Sequence, residues 1–241
     1  MIPLNSVGHR LPRMDALLRV TGKAEYTGDV KMPGMLFAKV LRSPHPHARI
    51  KSIDVSKAKA LPGVKAVLTY QNCDVTWSSG DTLGQRKIFN NPLRYTGEAV
   101  AAVAAVDRHV AEEALLLINV DYEVLPFVTD VDKAMEAGAP EIHPGGNLSP
   151  NNQRQRQPQV TRRGDVAQGL AAADRVFEDS FSSVHLNNAQ LEIRAALAYW
   201  EGPKLTVYAS TQGIANCQSD IAKDLKLEPA NVRVICHYMG G

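Results

Sequence analysis

The chain has 241 residues, 44% hydrophobic and 22% charged, with a formal net charge of +2. That length buries a real core and suits one large domain or two small ones, and the composition excludes a globally disordered chain. So small a net charge argues against nucleic acid or an anionic membrane as partner, and no apolar run is long enough to span a bilayer.

The first structured region opens with predicted strands at residues 35–41 and 50–53. Residues 55–61 read as a short helix stopped by Pro62 and Gly63, and residues 64–70 as a strand. Residues 71–96 are rich in Asn, Asp, Gly, Ser and Pro without periodicity and read as an irregular excursion. The nearly all-apolar run 98–106 suits a strand buried on both faces. Asp107 is placed to cap the helix that follows, with Val110, Ala114 and Leu117 on one face and Arg108, Glu112 and Glu113 towards water. Residues 118–124 form a further strand, closed by Pro126. Strand and helix alternate, so an α/β layer domain is expected.

Residues 137–164 hold Gly, Pro, Asn and Gln in place of periodic apolar positions. So long an unstructured stretch inside one domain is unusual, which makes a linker and a domain boundary the better reading. Its arginines, Arg154, Arg156, Arg162 and Arg163, have no aromatic residues between them and read as a solvated loop. Beyond it, residues 175–184 are a predicted strand, and 195–200 and 204–209 a hairpin with a turn of about three residues. A helix follows Gly213, with Ile214, Cys217, Ile221 and Leu225 on one face, and a last strand runs from residue 231 into Gly240 and Gly241. Consecutive glycines after a strand deliver backbone to something that must come close. What they begin to build is expected to be completed by residues outside this chain.

Cys73, Cys217 and Cys236 are widely spaced, without the paired spacing of a zinc or iron–sulfur motif. Free thiols in a reducing compartment are the default, and residues 1–10 lack the apolar core and cleavage site of a leader, so a cytoplasmic location is expected.

Several stretches resemble one family in sequence and in order. They are Arg13-Met-Asp-Ala16, Val20-Thr-Gly-Lys-Ala-Glu-Tyr-Thr-Gly-Asp29, Leu41-Arg-Ser-Pro-His-Pro-His-Ala-Arg-Ile50 and Leu61-Pro-Gly-Val64. Gly97-Glu-Ala-Val-Ala101, Val120-Asp-Tyr-Glu-Val-Leu-Pro126, Ser210-Thr-Gln212 and Val232-Arg-Val-Ile235 leading to Gly241 continue the order. Together they resemble the opening of the large subunit of the molybdenum hydroxylases, the xanthine dehydrogenase and aldehyde oxidoreductase family. The resemblance implies an α/β (α+β) fold: an N-terminal extension (1–20), an α/β hammerhead domain (21–136), a linker (137–164) and the first strands and helix of an incomplete molybdopterin-binding domain (165–241).

Family members oxidise an aldehyde or an N-heterocycle with water as the oxygen source. The resemblance implies a molybdenum–molybdopterin cofactor shared with missing segments or a partner chain, with 2Fe-2S clusters and FAD on partner subunits. The implied partners are the remaining part of the large subunit, an iron–sulfur subunit and often a flavin subunit, with a small-molecule substrate. The chain by itself is not expected to retain the cofactor or to be active. The rival expectation is a non-catalytic assembly module that keeps the first half of the fold.

Gln212 lies between a strand end and a helix start, where a side-chain amide projects into a cleft and the helix dipole favours electron-rich groups. By resemblance it matches the glutamine that hydrogen-bonds an oxo ligand of the molybdenum; from its position alone it could equally cap its own helix. Gly240 and Gly241 match the opening of the family's glycine-rich loop, which brings backbone to the cofactor. The glutamate that serves the family as general base falls outside this chain, so no catalytic residue and no protein metal ligand is assigned. His45 and His47 read as structural, since no third ligand is near in sequence. His185 and Glu192 read as packing in a strand region, Thr21-Gly22 and Gly28-Asp29 as turns, and Cys236 with His237 as residues on opposite faces of a strand rather than a dyad.

Overall fold

The computed structural model describes residues 7–78, 85–144, 146–147, 163–184 and 186–240. The chain divides into two units, one formed by Met1–Met35 with Ala189–Gly241 and the other by Leu36–Asn188. The first unit opens with a short helix, α1 (Ala16–Val20), and a 3-10 turn at Thr27–Asp29. In that turn the Asp29 carboxylate accepts the backbone N–H of Tyr26 at 3.0 Å.

The second unit follows as β1 (Phe37–Arg42), β2 (Ala48–Asp54), α2 (Ser56–Ala60), β3 (Val64–Thr69), β4 (Thr76–Ser78), β5 (Gln85–Lys87), β6 (Ala99–Ala105), α3 (Arg108–Leu116), β7 (Asn119–Val124) and α4 (Val166–Ala171). Strands β1, β6 and β3 form a sheet in that order, while β2 pairs with β7 and β4 with β5. Every pairing in this unit is antiparallel. Alternation of strand and helix along the chain has therefore not produced a parallel sheet.

Strand β6 is central because both of its faces are apolar. Ala101 and Val103 enter one core cluster with Ala58, Ala114 and Ile118. Val100 enters a second cluster with Ile50 and Leu93. Gly63 turns the chain between α2 and β3 at φ +95, a conformation that strains other residues, and a Cβ there would crowd a Val106 methyl at 3.0 Å.

Asp107 caps α3 as its sequence position suggests, accepting the N–H groups of His109 at 2.7 Å and Val110 at 3.4 Å. Ala111 and Ala114 are buried beneath it. On its outer face Glu112 receives Lys39 at 2.7 Å and Arg108 at 3.1 Å. Hydrogen bonds from Lys39 and then Arg108 hold the Glu112 carboxyl down at about 2, against an ordinary value of 4.5.

The stretch 71–96, expected to be irregular, contains the short antiparallel pair β4–β5, and polar side chains order the coil that follows it. The Asn91 amide bonds both the N–H and the C=O of Ile50 at 2.9 Å. Buried Glu98 accepts from Asn90 Nδ2 at 2.8 Å and from the Arg94 backbone N–H. These bonds hold Leu93 fully buried. His47 Nδ1 lies 2.7 Å from the Pro126 carbonyl, and the His45 ring meets Tyr122 edge-on at 5.1 Å, so both histidines are engaged structurally.

The strand expected at residues 175–184 is not formed: the segment has no regular structure. A strand exists only through a hydrogen-bonded neighbour, and among the described residues none pairs with it. Phe177 and Phe181 accordingly stand 87% and 91% exposed.

Back in the first unit, β8 (Ala196–Glu201), β9 (Lys204–Ala209), α5 (Ile214–Asp224) and β10 (Val232–Ile235) form a sheet of order β10-β9-β8 with one helix. The β8–β9 turn has two residues rather than three, Gly202 and Pro203, with φ +59 at the glycine. Positive φ at the first turn position matches the twist of the flanking strands. Leu205, Val207 and Ala209 of β9 are covered by Cys217, Ile221, Leu227 and Val234. Ile214 and Leu225, expected on the same buried face, are 44% and 40% exposed because they sit at the two ends of the helix. The last strand stops at Ile235, and residues 236–240 continue without regular structure.

Leu93→Ala is expected to lower unfolding free energy by about 2–5 kcal/mol in urea denaturation, since it empties a fully buried site. Glu112 has a folded pKa below its unfolded value, so its contribution is present above the ordinary carboxylate range and is lost as pH falls towards about 2. NMR titration should find that low value, and Lys39→Ala should raise it.

Candidate functional site

Strands β9 and β10 are adjacent and parallel, with Leu205 opposite Val232 and Tyr208 opposite Ile235. Their carboxyl ends therefore leave the sheet at one edge. Strand β8 is antiparallel to β9, with Ala196 opposite Ala209, so the segment entering β8 meets the same edge. In open sheets with parallel strands, ligands bind outside the carboxyl ends.

Gln212 lies in the bend after β9, directly before the α5 N-cap Gly213. It is exposed, and its amide makes no hydrogen bond among the described residues. No side chain caps α5, and the Gly213 N–H is taken by Thr211 Oγ1 at 3.2 Å. Gln212 is thus not the cap of its own helix. The first-turn N–H groups of α5 and the amide together form a neutral donor set beside the positive end of a helix dipole.

Gly240 lies beyond the end of β10, and its N–H donates to Glu192 Oε2. A Cβ on Gly240 would lie 2.7 Å from the Glu192 Cβ, so the approach requires glycine. The other oxygen of Glu192 accepts from Ser210 Oγ at 3.0 Å. Ser210 extends the β8–β9 pairing: its N–H donates to the Ala195 carbonyl at 3.0 Å and its Oγ accepts from the Ala195 N–H at 3.3 Å. One half-buried carboxylate thereby joins the segment entering β8, the segment leaving β9 and the segment beyond β10.

Sequence reasoning set Glu192 aside as packing. No local signal could have found it, because its partners lie 18 and 48 residues away in sequence. Gly241 and His185 lie outside the described residues, as do Arg154, Arg156 and Arg162.

A cleft of about 620 Å³ opens beside this junction, lined by Tyr26, Gly28, Asp29, Leu191, Glu192, Ile193 and Gly240. Gln212 does not line it. Tyr238 in the segment 236–240 is also held by ring contacts. The Arg19 guanidinium lies 5.9 Å from the Tyr26 ring centre and 5.1 Å from that of Tyr238, whose rings are 5.6 Å apart. Arg19 Nε bonds Asp15 at 2.7 Å. Hydrogen bonds from Arg13 and then Arg19 hold the Asp15 carboxyl down at about 2.

Cys236 and His237 make no dyad. The Cys236 thiol faces the Tyr238 carbonyl at 3.5 Å, and the His237 ring packs towards Tyr208 at 6.2 Å. Burial, then the charge of Asp220, pushes the Cys217 thiol up, as for a core residue. No group of three or more His, Cys, Asp or Glu side chains that could hold a metal is assembled among the described residues. This edge offers an exposed amide, helix N–H groups without a side-chain cap and glycine backbone.

Residues 21–126 match the family model described as aldehyde oxidase and xanthine dehydrogenase, a/b hammerhead domain. Residues 148–241 match the molybdopterin cofactor-binding domain. The chain is 33% identical over 237 residues to the nicotinate dehydrogenase large molybdopterin subunit of Eubacterium barkeri, covering 98% of this chain and 54% of that protein. It is 32% identical over 241 residues to the xanthine dehydrogenase molybdenum-binding subunit of Escherichia coli O157:H7, covering 95% of this chain and 31% of that protein. Among solved structures, quinoline 2-oxidoreductase from Pseudomonas putida 86 matches with a TM-score of 0.81 at 29% identity, over 96% of this chain and 30% of that one. The chain thus spans between 30% and 54% of the length of these relatives.

Gly240→Ala is expected to detach residues 236–240 from Glu192. Deuterium exchange at the residue 240 amide should accelerate, while unfolding free energy changes by less than about 1 kcal/mol because the position is exposed.

Proposed function

Because the chain belongs to the aldehyde oxidase and xanthine dehydrogenase family of molybdenum hydroxylases, we propose that it is part of a molybdopterin-binding large subunit and supplies one wall of the cofactor cleft. The reaction of the whole enzyme is oxidation of an aldehyde or N-heterocycle with oxygen from water. When bound, the cofactor supplies the redox-active metal. The residues of this chain bind and orient it. Residues 21–136 act as the hammerhead domain, 137–164 as the linker, and 165–241 contribute to the molybdopterin-binding domain.

The observation that carries this reading is the shared sheet edge: an uncommitted amide after β9 and a glycine beyond the parallel β10. Gln212 would hold the cofactor by donating its amide N–H to an oxygen ligand that the cofactor carries. A neutral donor orients that ligand without altering the charge of the centre. The helix dipole of α5 adds to the stabilisation of an electron-rich group. Gly240, with Gly241, lets backbone come close to the cofactor where a side chain would block it. The catalytic base and the substrate-lining residues come from elsewhere in the large subunit.

The relatives are named as subunits, which supports an assembly of several chains. Its finer composition is the rest of the large subunit, an iron–sulfur subunit with 2Fe-2S clusters and, in many assemblies, an FAD subunit. No helix among the described residues is long and apolar enough to cross a membrane; the proposed location is the cytoplasm.

Gln212→Ala in the assembled enzyme is expected to lower molybdenum retention or turnover by about 10–100-fold, as for loss of a group that orients a metal ligand. Elemental analysis and aldehyde or purine oxidation assays measure it. Full retention together with full turnover would remove Gln212 from the site and leave the assembly-module reading in its place.

A further inference from the structure

The carboxylate of Glu192 bonds both segments leaving the carboxyl ends of β9 and β10. It accepts from Ser210 Oγ at 3.0 Å, two residues before Gln212, and from the Gly240 N–H. We propose that Glu192 is a positioning residue for the cofactor-facing edge: it latches the glycine segment to the bend that carries Gln212. This rests on the reading of Gln212 and Gly240 as cofactor-facing residues.

Three observations support a latch rather than incidental packing. First, the parallel ladder ends at Tyr208 and Ile235, so beyond that point no backbone pairing links the two segments. Gln212 and Gly240 both lie past it; ring contacts hold Tyr238 and His237, and the Glu192 carboxylate is the tie that reaches the Gly240 backbone itself. Second, the contact is too close for any other residue at position 240, since a Cβ there would lie 2.7 Å from the Glu192 Cβ and 3.2 Å from its Oε2. Third, the carboxylate is itself oriented. Its Ser210 partner is fixed by two hydrogen bonds to Ala195, so Glu192 is held by the same β8–β9 pairing that places Ser210.

An ionised acceptor suits this role. A carboxylate takes two donors, one on each oxygen, and charge-assisted bonds are stronger than neutral ones. Glutamine keeps one acceptor oxygen of the same reach and replaces the other by a donor. With that oxygen towards the Gly240 N–H, its NH2 can donate to the Ser210 hydroxyl, so it should hold both segments through weaker, neutral bonds. Alanine should release both.

The test uses the full chain and the enzyme assembled from it. In the full chain, Glu192→Ala is expected to speed deuterium exchange at the Gly240 amide by about tenfold or more, as for loss of a charge-assisted hydrogen bond. Glu192→Gln should give an intermediate rate. In the assembled enzyme, Glu192→Ala should lower molybdenum per chain by elemental analysis, with Glu192→Gln recovering part of it. Unchanged exchange in Glu192→Ala overturns the latch. Faster exchange with unchanged molybdenum overturns the positioning role. An equal loss of molybdenum in both variants, with a common fall in thermal midpoint, marks a merely structural residue and overturns it as well. Gln212→Ala separates the underlying reading: full molybdenum and full turnover in that variant remove the cofactor-facing role of this edge, whatever the exchange at Gly240 shows.

Discussion

The parallel pairing of β9 with β10 is the constraint on which the candidate site depends. Four register pairs, from Leu205–Val232 to Tyr208–Ile235, bring two chain ends to one edge although α5 separates them in sequence. An antiparallel arrangement would have sent Gly240 to the opposite edge from Gln212. The pairing is in turn sealed by apolar contact, because Leu205, Val207 and Ala209 need the cover that Cys217, Ile221, Leu227 and Val234 provide. Sheet geometry thus sets which segments meet, and core packing sets whether the geometry holds.

Where regular structure ends, buried or half-buried polar side chains take over. Glu192 ties three coil segments in the first unit, and Glu98 with Asn91 orders the coil after β5 in the second. In each case a side chain with two acceptor or donor sites substitutes for missing backbone pairing. Removing such a group leaves its partners unsatisfied, so these positions carry more consequence than their surroundings. The exposed residues of 175–184 show the converse. Their β-favouring pattern has no neighbouring strand among the described residues, and with no pairing there is no strand.

Much of the second unit could be read from local pattern. The apolar run at β6, the Asp107 cap and the Pro62–Gly63 stop each act within a few residues, and local chemistry suffices to place them. Gln212 was legible in the same way, as an amide between a strand end and a helix start. Glu192 was not. Its partners lie 18 and 48 residues away in sequence, and no short-range periodicity reports on such distances.

The sequence by itself determined most of the longer strands and helices, the Asp107 cap and the family, because helix and strand propensities, turn residues and motif order are written in neighbouring positions. Tertiary structure alone decided the antiparallel pairing of the second unit, the absence of a strand at 175–184 and the meeting of Glu192, Ser210 and Gly240. The physical reason is that strand pairing and side-chain latches are contacts between residues remote in sequence. They are selected by the free energy of the whole packed unit rather than by any window of the chain.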